Sequence, residues 1–290
     1  MKDVNFVITD LDDTIWDWLE MWYMSFNPYL KRIAKETGID ISLLKTDFKK
    51  LHQKYATIEI SFAYKELTSL DPKFYSLFEN TPTNSKNILH EYNSNKKNNL
   101  IIYDGVRETL EYIKNKGSKI IAFTESNVFF TKYRIKHLML DGIIDCIYSP
   151  EGFDIPASVY KHYDEDFWEP KITVIKKLPK ETRKPNVEIL ETILKDFGAS
   201  KDKAIYIGDK LDRDILMAQE ADITSVYASY GHNIDGEKYK LLVDVTHWTD
   251  ADVIREQEFK SRKVEVKNPD HIIHSFSELQ TIFNYITFEK

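Results

Sequence analysis

The chain has 290 residues, 42% of them hydrophobic and 30% charged, which is enough for one large domain or two smaller ones with hydrophobic cores. Its formal net charge of −7 disfavours a nucleic-acid-binding protein, which would ordinarily carry a basic stripe, so no nucleic-acid partner is expected. The N-terminal segment lacks the pattern of a signal peptide and no apolar run reaches membrane-spanning length, so we expect a cytoplasmic protein without a membrane partner. No pattern in the sequence predicts an oligomeric state.

The first predicted element is a buried strand over residues 4–9, and the carboxylates Asp10, Asp12 and Asp13 follow it directly. Crowded acids repel one another unless a cation, a shared proton or open water relieves the repulsion. Side chains at the carboxyl end of a strand in an α/β sheet lie where ligands bind. These acids are therefore candidates for a functional site, although Asp10 and Asp12 could instead cap a helix or a turn.

From about Trp16 to Asn99 the sequence predicts several helices and no convincing strand. We interpret residues 15–99 as an inserted helical domain, and residues 1–14 with 100–290 as the core that receives it. The aromatic residues of the insert recur at helical spacing, which favours a core of its own over a ligand-stacking surface. They include Trp18, Trp22, Tyr23, Phe26 and Tyr29.

After the insert, short apolar runs with β-branched residues alternate with helix patterns. The predicted strands cover 119–124, 145–149, 203–208 and 223–228, and the clearest helices cover 105–117 and 184–198. This alternation predicts an α/β fold, Rossmann-like, with a mainly parallel sheet, helices on both faces and the inserted helical domain.

Two further stretches, 151–170 and 235–267, are aromatic and charged without a clear period, and we interpret them as insertions in the core. The single cysteine, Cys146, excludes an internal disulfide framework. Its apolar neighbours favour a buried structural thiol over a catalytic one.

A second acidic cluster, GDKLDRD at 208–214, follows the predicted strand 203–208 and offers Asp209, Asp212 and Asp214. Two acidic turns at the ends of parallel strands suggest that they share a hard cation. Mg²⁺ suits such a site, because it binds carboxylate oxygens, retains water molecules and commonly bridges to a phosphate. We therefore expect Mg²⁺ as the cofactor.

Between the two acidic clusters lie a strand that ends in the hydroxyl of Thr124 and a helix that begins at Lys184. Taken separately, each residue is ordinary, since many strands end in a hydroxyl and most lysines are solvated. A hydroxyl and an ammonium group that converge on a metal-held anion describe a phosphate site. The order of the four segments therefore indicates a phosphate site.

At these four segments the chain resembles the haloacid dehalogenase-like (HAD) superfamily. The matching residues are Asp10, Asp12 and Thr14 of an Asp-x-Asp-x-Thr motif, Thr124, Lys184, and Gly208, Asp209 and Asp214 of a Gly-Asp-x-x-x-x-Asp motif. The resemblance covers about 1–14 and 100–230 and returns near residue 268. A helical insert between the first two motifs resembles the type-1 cap of that family, a lid over the strand ends.

The resemblance implies a Mg²⁺-dependent phosphate monoester hydrolase that acts on a small phosphorylated metabolite. Asp10 would be the nucleophile and form an aspartyl-phosphate, and Asp12 would be the general acid and base. Asp10, Asp209 and the backbone carbonyl of Asp12 would hold the metal.

The same resemblance assigns the phosphate-binding and supporting residues. Lys184 and Thr124 would bind the phosphate, and Glu125 and Ser126, which follow Thr124 in the chain, are candidate residues of the same site. Asp214 would orient Lys184, with Thr14 and Gly208 as further supporting motif residues. Asp13 and Asp212 receive no family role.

Three alternatives remain open at this point: a phosphomutase, a hydrolytic dehalogenase on the same fold, and a non-catalytic binding protein. A dehalogenase needs no general acid, so Asp12 favours a phosphatase. Glu125 departs from the family, which usually has Asn after the hydroxyl of the second motif. A carboxylate beside a bound phosphate would oppose binding, so we expect Glu125 to pair with a cation or to turn away rather than to contact the substrate.

Overall fold

A computed structural model of the chain describes residues 1–60, 62–79, 86–152, 166–232, 236–248, 254 and 267–289. The chain divides into two compact units. The first, here called the core unit, comprises Met1–Asp17, Ile102–Asn233 and Val264–Lys290. The second, here called the helical unit, comprises Trp18–Ile101 and Ile234–Lys263.

Within the described residues the strands are β1 (Lys2–Val4), β2 (Phe6–Thr9), β3 (Lys119–Phe123), β4 (Cys146–Pro150), β5 (Val174–Leu178), β6 (Ala204–Gly208), β7 (Thr224–Ala228), β8 (His271–Ile273) and β9 (Phe283–Tyr285). Seven of them form one sheet in the order β5-β4-β3-β2-β6-β7-β8, and every neighbouring pair is parallel. β1 and β9 form a separate parallel pair. The predicted α/β, Rossmann-like class with a mainly parallel sheet is confirmed.

The helices are α1 (Trp18–Thr37), α2 (Ile41–Tyr55), α3 (Ile88–Asn99), α4 (Val106–Asn115), α5 (Val128–His137), α6 (Val187–Phe197), α7 (Leu216–Glu220), α8 (Gly236–Val245) and α9 (Leu279–Ile282). Shorter 3₁₀ turns cover Ala63–Lys65, Pro72–Leu77, Lys201–Lys203, Ser229–His232 and Phe276–Glu278, and a π-helical turn covers Leu211–Ile215.

Helix α6 illustrates how the sequence builds the core unit. The Asn186 side chain accepts a hydrogen bond from the Ile189 amide at its start, and Gly198 ends it with a φ of 69°. Between these ends, an apolar stripe that includes Leu190 packs against Phe6 and Ile8 of the central strand β2. The strand that carries the first acidic motif is therefore held in the hydrophobic core.

The helical unit has an aromatic core. Trp22 and Phe26 of α1 are buried and stack with ring centroids 5.2 Å apart, and Phe26 meets Phe48 of α2 edge-on at 5.0 Å. Trp18 and Tyr23 are only partly buried. The expectation that the aromatic residues of this segment pack with one another therefore agrees with the contacts of Trp22 and Phe26.

Helix α8 belongs to the helical unit, whereas the sequence analysis placed its residues in the core. The reason is its packing against α1 and α2. Asp244 pairs with Lys45 of α2 at 2.8 Å, and the Val245 carbonyl lies 2.5 Å from Nδ1 of His52. A partner so far away in sequence leaves no local signal. Residues 235, 249–253 and 255–266 of the predicted insertion at 235–267 lie outside the described residues.

The sequence analysis also missed β1, β5, β8 and β9. β5 and β8 are the outermost strands of the sheet and have exposed positions, so their apolar runs are too short or too broken to be recognised. Of the predicted insertion at 151–170, residues 153–165 lie outside the described residues.

Two smaller expectations can be compared with the fold. Cys146 is buried in β4, as predicted, and burial raises the pKa of its thiol to about 11. Among the helices that the structure describes, none combines the length and the apolar character needed to cross a bilayer.

Candidate active site

The site lies at the carboxyl ends of the central strands. In the sheet, Thr9 of β2 is in register with Ala122 of β3 on one side and with Ile207 of β6 on the other. The residues that follow these three positions therefore reach the same edge of the sheet. The Asp10 amide donates to the Ile207 carbonyl at 2.8 Å, which fixes the start of the acidic turn.

Lys184 links two of the buried acids. Its ammonium group donates to Oδ1 of Asp10 and, at 2.8 Å, to Oδ1 of Asp214, and its side chain is only 3% exposed. Burial opposes the charge, but the carboxylates of Asp10 and Asp214 outweigh it and raise the pKa of Lys184 well above its usual value. Lys184 is therefore a charged ammonium group held between two carboxylates.

Asp214 is the most fully hydrogen-bonded of these acids. Besides Lys184, its Oδ1 accepts from the Tyr206 hydroxyl at 2.9 Å, and its Oδ2 accepts from the Lys210 amide at 3.1 Å. Gly208 makes room for it, because a Cβ at that position would lie 2.4 Å from the Asp214 Cγ. The glycine of the motif thus has a steric reason, and Asp214 is placed where it can orient Lys184.

Asp209 is also buried, and its surroundings are less complete. The Lys210 ammonium lies 2.6 Å from its Oδ2, yet that oxygen has no aligned hydrogen bond within the described residues. Burial raises the pKa of Asp209, Lys210 opposes this effect, and Asp214 adds to it. The same Lys210 ammonium lies 4.0 Å from Oδ2 of Asp13.

The charged form of Asp10 is destabilised in a similar way. Burial raises the pKa of its carboxyl group well above the usual value, and Asp214 and Asp209 raise it further, while Lys184 lowers it. Asp10, Asp209 and Asp214 each offer an oxygen atom within 4.8 Å of the others. Three buried carboxylates thus share two lysines, so one negative charge in this cluster lacks a partner among them.

This cluster fits a divalent cation. The buried Oδ2 of Asp209 has an ion pair with Lys210 but no aligned hydrogen bond in the described chain, and three carboxylates beside two lysines leave room for one more positive charge. Since the oxygens of Asp214 are occupied by protein donors, Asp10 and Asp209 are the carboxylates best able to bind the ion. These are two of the three predicted metal ligands.

Asp12, the third predicted ligand, turns its side chain to a different set of partners. Its Oδ1 accepts from Trp16 Nε1 at 2.7 Å and from Arg134 Nη1 at 3.3 Å, and its Oδ2 accepts from the Ser126 hydroxyl at 2.5 Å. The prediction assigned only its backbone carbonyl to the metal, and that assignment stays a prediction.

The turn after β3 holds the other predicted phosphate-binding residues. Thr124 is buried, and its hydroxyl accepts from the Ser126 amide at 3.0 Å. Glu125 pairs with Arg213, Nη1 to Oε2 at 3.1 Å, and its Oε1 accepts from the Lys184 amide at 3.2 Å. Glu125 therefore pairs with a cation, which is one of the two arrangements that the sequence analysis favoured.

A glycine in the loop after β7, Gly231, lies against the acidic turn after β2. Thr14 is buried, its carbonyl accepts from the Tyr230 hydroxyl at 2.7 Å, and its own hydroxyl has no partner in the described chain. Beside Tyr230, a Cβ on Gly231 would lie 1.8 Å from the Asp13 carbonyl oxygen and 2.8 Å from the Asp209 Cβ. The loop after β7 can approach both acidic turns only because residue 231 has no side chain.

A family model for haloacid dehalogenase-like hydrolases matches residues 4–222, most of the chain. The chain belongs to this family of hydrolases. No curated protein sequence matches it. The four motifs that suggested the resemblance lie within the matched segment, and the strands that carry them form the centre of the sheet.

Solved structures share the fold of this HAD-like hydrolase at low sequence identity. A HAD phosphatase from Thermococcus onnurineus is 18% identical with a TM-score of 0.52, and the match covers 97% of each chain. A 2-haloacid dehalogenase from Pseudomonas syringae is 14% identical with a TM-score of 0.52, and 96% of each chain is covered. The HAD-hydrolase YfnB from Bacillus subtilis, bound to magnesium, is 13% identical with a TM-score of 0.50, over 97% of this chain and 99% of that one. Since a phosphatase and a dehalogenase share the fold to the same degree, the fold does not select the reaction.

Sequence reasoning missed several residues of this HAD-like site, namely Trp16, Arg134, Tyr206, Lys210, Arg213, Tyr230 and Gly231. Lys210 and Arg213 lie inside the motif 208–214, so their charge beside known acids was an available signal. Arg134 had no such signal, because its partner Asp12 is more than a hundred residues away.

Proposed function

We propose that this HAD-like hydrolase is a Mg²⁺-dependent phosphatase that hydrolyses a small phosphate monoester through an aspartyl-phosphate. The observation that carries the proposal is the buried cluster of Asp10, Asp209 and Asp214 around Lys184. Together with Lys210, which lies 2.6 Å from Asp209, the cluster carries one net negative charge, and a divalent cation would make it net positive, which suits a phosphate dianion. Displacement of a halide needs no such cation, so the cluster favours a phosphatase over a dehalogenase.

In the first step, a carboxylate oxygen of Asp10 attacks phosphorus, and the bond from phosphorus to the leaving oxygen breaks. Asp12 gives its proton to that oxygen, so the alcohol departs neutral. In the second step, Asp12 takes a proton from a water molecule, whose oxygen attacks phosphorus and releases Asp10 and inorganic phosphate. Asp12 therefore ends the turnover protonated, as it began.

The remaining residues hold the phosphoryl group. Lys184 places a positive charge beside Asp10, and Asp214 and Tyr206 fix its position. Asp10 and Asp209, with the backbone carbonyl of Asp12, would hold the Mg²⁺. When bound, that ion supplies charge neutralisation to the transferring group.

The helical unit is proposed to act as the cap. Its first segment, Trp18–Ile101, lies between the turn that carries Asp12 and β3, which carries the next motif, and its second segment, Ile234–Lys263, follows β7. Such a unit would choose the substrate and exclude water during the reaction.

The test is a screen of phosphorylated metabolites with purified protein, with kcat/KM recorded in Mg²⁺, in Ca²⁺ and after chelation. We expect turnover in Mg²⁺, little in Ca²⁺, whose looser coordination holds the reacting groups less well, and none after chelation. Parallel assays for chloride release from 2-chloropropionate and for phosphate transfer to a sugar hydroxyl test the dehalogenase and the phosphomutase. Equal rates in Mg²⁺ and in a chelator would contradict the metal role, and halide release without phosphatase activity would contradict the reaction.

A further inference from the structure

A buried arginine outside the four family motifs contacts the proposed general acid. Arg134 lies on α5 and is only 1% exposed. A buried charge is unfavourable unless it is paired and hydrogen-bonded, so its partners indicate why it is there. The partners described at its Nη1 are the Asp12 carboxylate at 3.3 Å and the Ser126 hydroxyl at 2.9 Å.

Three elements meet at the Asp12 carboxylate. Trp16 comes from the turn after β2, Ser126 from the turn after β3, and Arg134 from α5. Side chains of a helix lean towards its N-terminus, which lets the Arg134 guanidinium reach back to Ser126, just before the helix begins. Ser126 thus accepts from Arg134 and donates to Asp12.

The position of Ser126 is itself fixed by the core. Its carbonyl oxygen accepts from the hydroxyls of Ser149, at 2.6 Å, and Thr131, at 3.2 Å. Its amide donates to the Thr124 hydroxyl at 3.0 Å. The hydroxyl that links Arg134 to Asp12 therefore has little freedom to move.

We propose that Arg134 is a positioning residue that holds the Asp12 carboxyl group, directly and through Ser126, where it can protonate the leaving oxygen. This inference rests on the proposed phosphatase function, in which Asp12 is the general acid. A proton donor must lie within hydrogen-bond reach of the atom it protonates, and small displacements reduce the rate strongly. The alternative is that Arg134 only ties α5 to the sheet.

The leaving group separates these two roles. An alkyl phosphate such as glycerol 2-phosphate releases a basic alkoxide and needs the proton, whereas 2,4-dinitrophenyl phosphate releases a weak base and does not. The value of kcat/KM reports only the steps up to formation of the phosphoenzyme, so it isolates the protonation by Asp12. Arg134→Met should lower kcat/KM about a hundredfold for the alkyl ester and less than about threefold for the dinitrophenyl ester.

Two milder variants keep the test valid if Arg134→Met folds poorly. Arg134→Lys retains the charge without the guanidinium fork, and Ser126→Ala removes the bridging hydroxyl but leaves the direct contact. Each should lower kcat/KM for the alkyl ester about tenfold more than for the dinitrophenyl ester. Arg107→Met is the matched control, since Arg107 donates to the carbonyls of Leu138 and Met139 rather than to the site, and it should affect both esters alike.

Asp12→Asn is the reference that distinguishes a failure of this inference from a failure of the proposed function. If Asp12→Asn does not discriminate between the two esters, the general-acid role itself is wrong. If Asp12→Asn discriminates and the Arg134 and Ser126 variants lower both esters equally, the positioning role is wrong. If the role is right, adding Arg134→Met to Asp12→Asn should cause no further loss on the alkyl ester.

Discussion

Buried carboxylates occur in both units, but the partners of their oxygen atoms differ. In the helical unit, Asp47 accepts from the Thr68 hydroxyl at 2.7 Å and from the Ser69 amide at 2.6 Å, and Glu59 pairs with Lys96 at 3.1 Å. In the core unit, three carboxylates crowd around two lysines, and the Oδ2 of Asp209 has an ion pair with Lys210 at 2.6 Å but no aligned hydrogen bond in the described chain. The acids of the helical unit are therefore paired with protein donors, whereas the crowded acids of the core unit fit the proposed cation.

The largest test of this contrast compares Asp10→Asn with Asp47→Asn. Asp10→Asn should lower kcat at least about a thousandfold, because the amide removes the nucleophile, and without metal the protein should unfold at the same or a higher temperature, because one crowded charge is lost. Asp47→Asn should instead lower the free energy of unfolding by about 1–2 kcal/mol, because an acceptor of two hydrogen bonds becomes partly a donor.

Turnover with phosphate esters and thermal melting in a chelator check both variants. Mass spectrometry must first exclude deamidation of the introduced asparagine back to aspartate. If Asp10→Asn proved as destabilising as Asp47→Asn, the claim that Asp10 is electrostatically repelled by its neighbouring carboxylates would be contradicted.

The pH dependence of the free energy of unfolding should reveal the titration of a buried histidine in the helical unit, His52. Burial lowers the pKa of His52 to about 4 from its ordinary 6.5, and its hydrogen bond to the Val245 carbonyl only partly opposes this effect. Below pH 6.5 the unfolded chain takes up a proton that the folded protein refuses until about pH 4. The free energy of unfolding should therefore fall by about 3 kcal/mol as the pH drops from 6.5 to about 4. Above pH 6.5 the contribution of His52 should not change with pH.

The measurement is urea unfolding at several pH values for wild type and His52→Asn. The asparagine amide can still donate to the Val245 carbonyl but does not titrate, so this contribution to the pH dependence should vanish. An unchanged slope in His52→Asn would show that this histidine does not titrate as proposed.

A smaller effect is expected at Lys210, whose ammonium lies 2.6 Å from an oxygen of the proposed metal ligand Asp209. Its positive charge opposes a nearby cation, so Lys210→Met should bind Mg²⁺ about tenfold more tightly by calorimetry. Lys203→Met, at an exposed position, should leave the affinity unchanged, and Asp209→Asn should weaken it. Weaker binding in Lys210→Met would mean that the lysine supports the cation site instead of competing with it.

The smallest effect concerns Glu125. Because its carboxylate pairs with Arg213 and accepts from the Lys184 amide, it is neutralised by the protein, and Glu125→Gln should change kcat/KM for a generic phosphate ester by less than about tenfold. A larger loss confined to amine-bearing substrates would assign Glu125 to substrate recognition instead.

The contrast between the units also explains which features the sequence could predict. Asp10 and Asp209 each follow a strand, and parallel strand ends meet at one edge, so their order along the chain predicted that their carboxylates lie together, as they do in the structure. The phosphate-binding roles of Thr124 and Lys184 stay predictions. The network of Arg134 was not predictable in this way. Its contacts depend on how a helix leans across a turn, and no local pattern encodes that contact.

The same limit applies to larger segments. The segment of helix α8 shows no clear period in the sequence, and its contacts with distant residues such as Lys45 and His52 assign it to the helical unit. β5, at one end of the sheet, is exposed or partly exposed at every position except Leu178. Local patterns predict the type of an element better than they predict its neighbours.

Gly231 limits which amino-acid substitutions this chain can tolerate. It contributes no chemical group, yet any side chain there would collide with the backbone of one acidic turn and with Asp209 of the other. Random replacement at this position should therefore be tolerated as poorly as replacement of a catalytic aspartate. In a survey of functional variants, position 231 would be read as part of the active site, although its requirement is steric: Asp13 and Asp209 already fill the space that a side chain would need.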